Sequence, residues 1–327
     1  PSSGEILREF FRNLNPLKRH NWLSIVSIVA LLALISCLVL FFISYFTWTL
    51  AAVVFVYGLF GMGSYANFWV HRFCTHRAFR FRNSFFRAIG RNLAIKVAIE
   101  ELHVISHHVH HHHSDQPGDP HNPQGGWLYC YLSDINHQHI RKDLSEDEYR
   151  RLCLMMEGTG IRANSYAQYL KWGSICHPLS ALVDYLVNWT FWFGASYLIG
   201  GIPAAVALFG AAAVWNLAYR NFNYMSHSGG KKKHTDGIDF HHDDFSVNKT
   251  WTGLVSGEWH NNHHLYPGSA RAGFLPYQID LPWLLIRGFY SVGAVTSYRE
   301  NRELFYKVHF SPAVTTLRST SVSSRSS

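Results

Sequence analysis

The composition of this 327-residue chain is typical of a membrane protein rather than of an ordinary soluble enzyme. Hydrophobic residues make up 48% of the chain and aromatic residues 16%, whereas only 15% of the residues are charged. So few charged side chains cannot solvate the surface of a soluble protein of this size. The five scattered cysteines favour free thiols in a reducing compartment over a disulfide framework. The net charge of +8 fits a solvated cytoplasmic face or basic segments on anionic headgroups, and we expect no nucleic-acid partner.

Two hydrophobic hairpins are predicted in chain order. The four predicted spans cover residues of about 23–42, 48–69, 179–199 and 202–218. Residues 23–70 include no Lys, Arg, Asp or Glu, and about 20 apolar residues reach across a hydrocarbon core of roughly 30 Å. An aromatic turn at residues 45–49 closes the first hairpin, and Gly200, Gly201 and Pro203 mark the turn of the second. A buried helical hairpin in a soluble protein is the alternative.

Both hairpins return to the side of the membrane from which they start, so the termini and the connection between the hairpins share one side. Basic residues precede the first span, at Arg8, Arg12, Lys18 and Arg19. Because the turns inside the hairpins carry no Lys or Arg, the shared side is predicted to be cytoplasmic. The protein would be a multi-pass integral membrane protein of the endoplasmic reticulum if eukaryotic, or of the inner membrane if bacterial.

The predicted fold class is an all-α membrane protein, in which four transmembrane helices carry a cytoplasmic helical cap that holds a di-metal site. Residues 1–310 are predicted to form a single domain, since no internal repeat and no second globular unit is visible. Residues 311–327 are rich in Ser and Thr and have no apolar periodicity, which predicts a disordered tail.

Four short clusters of histidines follow the hydrophobic segments or lie between them. The metal-ligand candidates are nine histidines and one asparagine: His71, His76, His107, His110, His111, Asn223, His227, His260, His263 and His264. Neutral imidazole is the nitrogen donor available near pH 7. In the second and fourth clusters, three histidines stand at i, i+3 and i+4, which places them on one face of a helix. One ion takes about four to six ligands, so the candidates predict two ions.

Other polar residues near the clusters are candidates for supporting roles. An isolated histidine is more often a core or surface residue than a ligand, but four such clusters favour metal binding. Further histidines, among them His108 and His121, exceed what two ions can use, so some of them are expected to support ligands or to face solvent. Asp115, Asp119 and Glu258 are close enough in sequence to orient the second ring nitrogen of a ligand histidine.

The segment from about Tyr65 to Arg299 resembles the membrane fatty acid desaturases, and within them the stearoyl-CoA, or delta-9 acyl, branch. Three histidine boxes carry the resemblance: HRFCTHRAF, HHVHHHHSDQPGDPHNP and HNNHHLYP. The resemblance implies a mushroom-shaped fold with a di-iron centre that the nine histidines hold directly and Asn223 holds through a water molecule. It also implies that O₂ is a co-substrate and that a cis double bond is introduced into a saturated acyl chain in an apolar tunnel.

The resemblance implies coenzyme A as the acyl carrier, but it leaves alternatives open. His108 stands where the family has an Arg that helps to hold the coenzyme, so the phosphate contacts are expected from Arg141 and Lys142. An acyl-lipid substrate is one alternative, and hydroxylation of a fatty acyl chain or lipid on the same di-iron scaffold is another. The sequence has no His-Pro-Gly-Gly haem motif, so a separate cytochrome b5 or ferredoxin is expected to supply electrons.

Proteins of a different class are also rich in histidine. A metal transporter or storage protein would line its spans with polar groups, and the predicted spans are nearly free of them. A zinc protease is a poorer match, because the sequence has no His-Glu-x-x-His motif.

Overall fold

The fold is taken from a computed structural model, which describes residues 1–137, 140–227 and 259–309, the last residue without its side chain. The predicted tail at residues 311–327 and the candidate Glu258 lie outside the described residues. Most of the described chain is helical, and one two-stranded sheet is present.

The helices and strands are numbered in chain order. The first part of the chain forms α1 (Ser3–Asn13), α2 (Arg19–Tyr45), α3 (Trp48–Thr75), β1 (Phe79–Phe81), α4 (Ser84–Arg91) and α5 (Glu100–His113). The middle part forms α6 (Trp127–Tyr131), α7 (Ser133–Asn136), α8 (Glu146–Met155), α9 (Tyr166–Trp172) and α10 (Pro178–Met225). The last part forms α11 (His260–Leu265), α12 (Leu281–Ser291), β2 (Val295–Tyr298) and α13 (Arg302–His309).

Three helices in the described ranges, α2, α3 and α10, are long and apolar enough to cross a membrane. The break between α2 and α3 lies within the predicted aromatic turn. There the Thr47 side chain accepts a hydrogen bond from the Leu50 N–H, which caps the start of α3. The helices therefore break where the sequence predicted a turn.

The long helix α10 consists of two legs that meet at the predicted glycine pair. The backbone leaves the helical region at Gly200 and Gly201, and Gly201 has φ 65° and ψ −161°, a combination that glycine adopts readily. The ring centroids of Trp189 and Phe209 lie 5.6 Å apart, although these residues would be roughly 30 Å apart along a straight helix. The two legs therefore run back along each other as a helical hairpin.

The hairpins pack closely where small residues face each other. A Cβ atom added at Gly58 of α3 would lie 2.7 Å from the carbonyl oxygen of Ala211 in the second leg of α10. Glycine at this position lets the two helix backbones approach, as small residues do in membrane helix interfaces. The contact holds the second leg of α10 beside α3, whose far end carries His71.

A short antiparallel sheet, which the sequence did not predict, joins the segment after α3 to the segment after α12. Phe79 pairs with Tyr298 and Phe81 pairs with Val295. Close by, the buried Arg72 side chain forms an ion pair with Asp280 at 2.8 Å. These contacts fix the segments before and after α12 against the end of α3. Because of the sheet, the fold is mostly helical and not all-α as predicted.

Two of the apolar helices continue past the ends predicted for their spans. Helix α3 runs to Thr75 and therefore carries His71, and α10 runs to Met225 and carries Asn223. The predicted helical triplets lie in α5 and α11. Two histidine clusters thus lie in the α-helices α5 and α11, whereas His71 lies in a π-helical stretch at the end of α3 and His76 and His227 lie just after the ends of α3 and α10.

Candidate metal centre

Five histidines from three parts of the chain form a first group, called cluster A here. Its members are His71, His76, His107, His111 and His263. The Nε2 atom of His71 lies 2.9 Å from that of His107 and 3.1 Å from that of His263. The Nε2 atom of His111 lies 2.9 Å from both of those same partners, His107 and His263. The His76 ring completes the group, with its centroid 4.7 Å from that of His263.

Four other histidines form a second group, called cluster B. The Nε2 atom of His110 lies 3.2 Å from that of His264, and the Nε2 atom of His227 lies 2.7 Å from that of His260. The rings of His110 and His227 are 4.6 Å apart. Each of these four residues offers a ring nitrogen within 4.8 Å of the others, so the group could hold a metal ion.

The spacing of the ring nitrogens fits metal coordination better than hydrogen bonding. The Nε2 atom of His107 lies within 3.4 Å of the Nε2 atoms of His71, His111 and His263. A neutral ring nitrogen makes one hydrogen bond, as donor or as acceptor, and cannot satisfy three such neighbours. A metal–nitrogen distance of about 2.1 Å places neighbouring donors about 3.0 to 3.4 Å apart. The residues present therefore fit a metal ion.

Burial keeps these imidazoles neutral. The pKa of His107, His110, His263 and His264 is held well below the usual range of histidine, first by burial and then by the neighbouring rings. The same causes lower the pKa of His111 to about 3. Neutral rings keep the lone pair that a metal needs.

The two clusters lie side by side. The rings of His111 in cluster A and His264 in cluster B stack with centroids 4.3 Å apart, and His110 and His111 are neighbours in the sequence. Helix α5 thus supplies ligand candidates to both groups from one face. The arrangement suits two ions close together, as in dinuclear sites.

Carboxylates support cluster B, as the sequence predicted. The Nδ1 atoms of His110 and His227 lie 2.9 Å from Oδ1 of Asp119 and Asp115, respectively. Among the surplus histidines, His121 lies next to this group, with its ring centroid 4.9 Å from that of His110.

A mainly apolar cavity is lined both by residues of the hydrophobic helices and by histidines, with polar side chains such as Asn67 and Ser106 in its wall. Its wall is lined by Leu31, Ala66, Val70, Val97, Ala98, Ile99, Trp215 and Tyr219, among others. His71 and His107 of cluster A face the same cavity, and so does the candidate Asn223. Arg220 also lines it and pairs with Asp134. The sequence did not identify the apolar wall residues, because side chains of this kind occur along any apolar segment of the chain.

The three residues predicted to contact the substrate have different surroundings. Arg141 is exposed and forms an ion pair with Asp143 at 3.1 Å. Lys142 lines a small cavity of mixed polar and apolar lining, and burial together with the charges of Lys18 and Arg12 lowers its pKa. His108 is partly buried, with its ring centroid 6.2 Å from that of His76.

Comparison with known proteins agrees with this geometry. The model of the family described as fatty acid desaturase matches residues 46–283. The chain is 27% identical over 266 residues to palmitoyl-monogalactosyldiacylglycerol delta-7 desaturase of Arabidopsis thaliana. The aligned region covers 78% of this chain and 63% of that protein. It is 27% identical to icosanoyl-CoA 5-desaturase of Limnanthes douglasii over 78% of this chain and 67% of that protein.

The similarity to another relative covers almost the whole length of that relative. The chain is 26% identical over 291 residues to sn-1 stearoyl-lipid 9-desaturase of Anabaena variabilis. The aligned region covers 85% of this chain and 94% of that protein. The family match spans most of the chain, including the boxes at both ends of the site. This integral membrane protein belongs to the fatty acid desaturase family, whose members are oxidoreductases.

Proposed function

We propose that the protein is an O₂-dependent di-iron desaturase that introduces a cis double bond into a saturated acyl chain. The observation that best supports this function is the mainly apolar cavity that His71 and His107 line. A straight hydrocarbon chain in this cavity would bring one pair of methylene carbons beside the histidines. A pocket that binds the chain in this way supplies the orientation that the reaction needs.

The ten predicted ligands would be shared between two irons. Cluster A and cluster B would each hold one ion, and Asn223 would complete the coordination through a water molecule. Iron supplies the activation of O₂ that attack on an unactivated methylene requires, with electrons from a separate cytochrome b5 or ferredoxin. The protein side chains hold the ions, keep the imidazoles neutral and exclude bulk water from the acyl chain.

The membrane arrangement we propose has four spans. Helices α2 and α3 would form the first hairpin and the two legs of α10 the second, with α5 and the other short helices forming a cap. The kink at Gly200 and Gly201 supports this, because it turns one long apolar helix into two antiparallel segments. The basic residues ahead of α2 favour a cytoplasmic position for the cap.

Acyl-CoA is the carrier that we propose, and an acyl-lipid is the alternative. The charges of Arg12, Lys18 and Lys142 act on one another near the small cavity that Lys142 lines, and the exposed Arg141 lies next to them in the sequence. Arg12 is paired with Glu9 and Arg141 with Asp143, so the phosphates of coenzyme A would bind these cations in competition with the two carboxylates. The relatives named above include one acyl-CoA desaturase and two whose names specify lipid-bound acyl chains.

Product analysis tests the proposed function. The chain would be expressed in a host that makes saturated fatty acids, and the host lipids would be analysed by gas chromatography and mass spectrometry. We expect a new cis-monounsaturated acid that the variant His107→Ala does not produce. A hydroxylated acid in its place would show that the same centre performs hydroxylation, and no new product from a protein that carries iron would contradict the proposal.

A further inference from the structure

Asp119 is a fully buried carboxylate whose position is fixed from several directions. Its Oδ1 accepts a hydrogen bond from the His121 N–H at 2.8 Å and faces Nδ1 of His110 at 2.9 Å. Its Oδ2 accepts a hydrogen bond from the Asp115 N–H at 2.8 Å. Both oxygens are therefore engaged, and the carboxylate cannot rotate without the loss of a hydrogen bond. It holds the His110 ring in one orientation.

Asp115 lies just after the histidine-rich helix α5 in an uncommon backbone conformation. Its φ is 59°, in the left-handed region that glycine, asparagine and aspartate adopt more readily than other residues. In this conformation its N–H reaches Asp119, while its own Oδ1 lies 2.9 Å from Nδ1 of His227. One residue thus connects the two carboxylate–histidine pairs.

Both pairs direct their histidines into cluster B. A carboxylate beside Nδ1 keeps the ring proton on Nδ1, so that Nε2 retains its lone pair. In this structure Nε2 of His110 lies 3.2 Å from Nε2 of His264, and Nε2 of His227 lies 2.7 Å from Nε2 of His260. The two carboxylates therefore set the tautomer and the direction of half of the cluster.

We propose that Asp115 and Asp119 form a linked pair of positioning residues that determines how tightly cluster B holds its metal ion. The proposal rests on the proposed function, because it takes cluster B as an iron site. Neither carboxylate would contact the iron or the substrate. Each would act through its histidine, and the hydrogen bond from Asp115 to Asp119 would couple the two.

Three substitutions separate this role from a purely structural one. Asp115→Gly suits the left-handed backbone but removes the partner of His227. If Asp115 only shapes the turn, this variant should behave like the wild type; if Asp115 positions His227, the variant should hold its metal less tightly. Asp115→Asn retains an oxygen for His227 and tolerates the same backbone, so it should restore most of the function. Both carboxylate oxygens of Asp119 accept hydrogen bonds from backbone N–H groups. Asp119→Asn replaces one of these oxygens with an NH₂ group, which faces an N–H donor and disturbs the position of the side chain.

The readout is iron retention in the purified full-length protein, measured as iron per chain during incubation with a chelator. We expect Asp115→Gly and Asp119→Asn to bind one of the two irons about 10- to 100-fold more weakly than the wild type, so that the chelator removes this iron first and the second iron is retained. Asp115→Asn should lie close to the wild type, as should Asp147→Asn, whose side chain is 80% exposed on α8. Circular dichroism of each variant confirms that it is folded.

The outcomes distinguish the two proposals. If the wild type holds two irons and Asp115→Gly retains both as tightly, the positioning role is wrong while the proposed function stands. If both irons leave together from the folded variants, the assignment of these carboxylates to cluster B is wrong. A wild type that desaturates acyl chains without iron would contradict the proposed function and the positioning role together.

Discussion

The Nε2 atoms of His71 and His107 lie 2.9 Å apart, although the two residues belong to different helices. His71 lies near the end of the apolar helix α3, and His107 lies in the middle of α5. The contact therefore joins the hydrophobic part of the molecule to the histidine-rich part. Because both side chains also face the apolar cavity, the place where a metal would bind and the place where an acyl chain would lie are adjacent.

Removal of one histidine from cluster A should abolish activity without unfolding the protein. In the variant His263→Ala, a ring nitrogen that lies within 3.4 Å of three other ring nitrogens is lost. We expect activity to fall by more than the roughly 10- to 100-fold that is typical of losing a supporting group. The control is His112→Ala, because His112 lies on the same helix as the second histidine box but is exposed. Equal turnover by both variants would show that cluster A is not the reactive centre.

A larger side chain in the apolar cavity should discriminate between acyl chains by length. Ala98 lines the cavity, and Ala98→Leu would place additional carbon atoms in it at a steric cost of about 1 to 3 kcal/mol. We expect longer saturated chains to be desaturated less efficiently relative to shorter ones, as measured by competition between chain lengths. The exposed Ala88 on α4 provides the control Ala88→Leu. A uniform decrease for all lengths would indicate that the cavity does not hold the acyl chain.

Glu101 should give the protein a pH-dependent stability of unusual sign. Burial raises the pKa of this carboxyl to about 7, although it accepts hydrogen bonds from the N–H groups of Ile175 and Cys176. Between pH 4.5 and 7 the folded state then binds more protons than the unfolded state, so this group's contribution to stability falls as the pH rises. The full effect is up to about 3 kcal/mol.

The variant Glu101→Gln isolates this contribution from that of the buried histidines, which gain protons on unfolding in part of the same pH range. The free energy of unfolding would be measured for the wild type and the variant between pH 4.5 and 8. We expect the wild type to become less stable relative to the variant as the pH rises, with the difference constant above about pH 8. A difference that does not vary with pH would mean that Glu101 is ionised throughout.

Neutralising the basic pair should reveal the carrier. If acyl-CoA is the substrate, Arg141→Gln with Lys142→Gln should raise the apparent KM for acyl-CoA far more than it lowers kcat. The phosphate contacts are remote from the reacting carbons and contribute equally in the ground and transition states, at about 1 to 3 kcal/mol each. The exposed pair Arg150 and Arg151, changed in the same way, provides a charge-matched control. Unchanged kinetics together with activity on phospholipid-bound chains would favour the acyl-lipid alternative.

Local sequence patterns were sufficient to predict much of this fold. The apolar runs predicted α2, α3 and the glycine turn within α10, since the length of an apolar segment and a Gly–Gly–x–Pro break are local properties. The spacing of His107, His110 and His111 predicted that they share a helix for the same reason. The assignment of these three residues to two different clusters depends on which other helices approach α5, and no local pattern contains that information.

Features that join distant parts of the chain could not be predicted. The pairing of Phe79 with Tyr298 connects residues more than 200 positions apart, and each strand is too short to show an alternating pattern. The sequence indicated that Asp115 could orient a ligand, but not that its partner would be His227, which is 112 residues away. Such contacts arise only when the helices have packed.

The iron content of active protein is the most direct test of the account. Protein purified from an iron-supplied host would be assayed for desaturation and analysed for transition metals in the same sample, since zinc also binds these nitrogens tightly. We expect activity to be proportional to iron and to reach its maximum at two irons per chain, one for each cluster. Full activity with a single iron, or with none, would contradict the di-iron assignment.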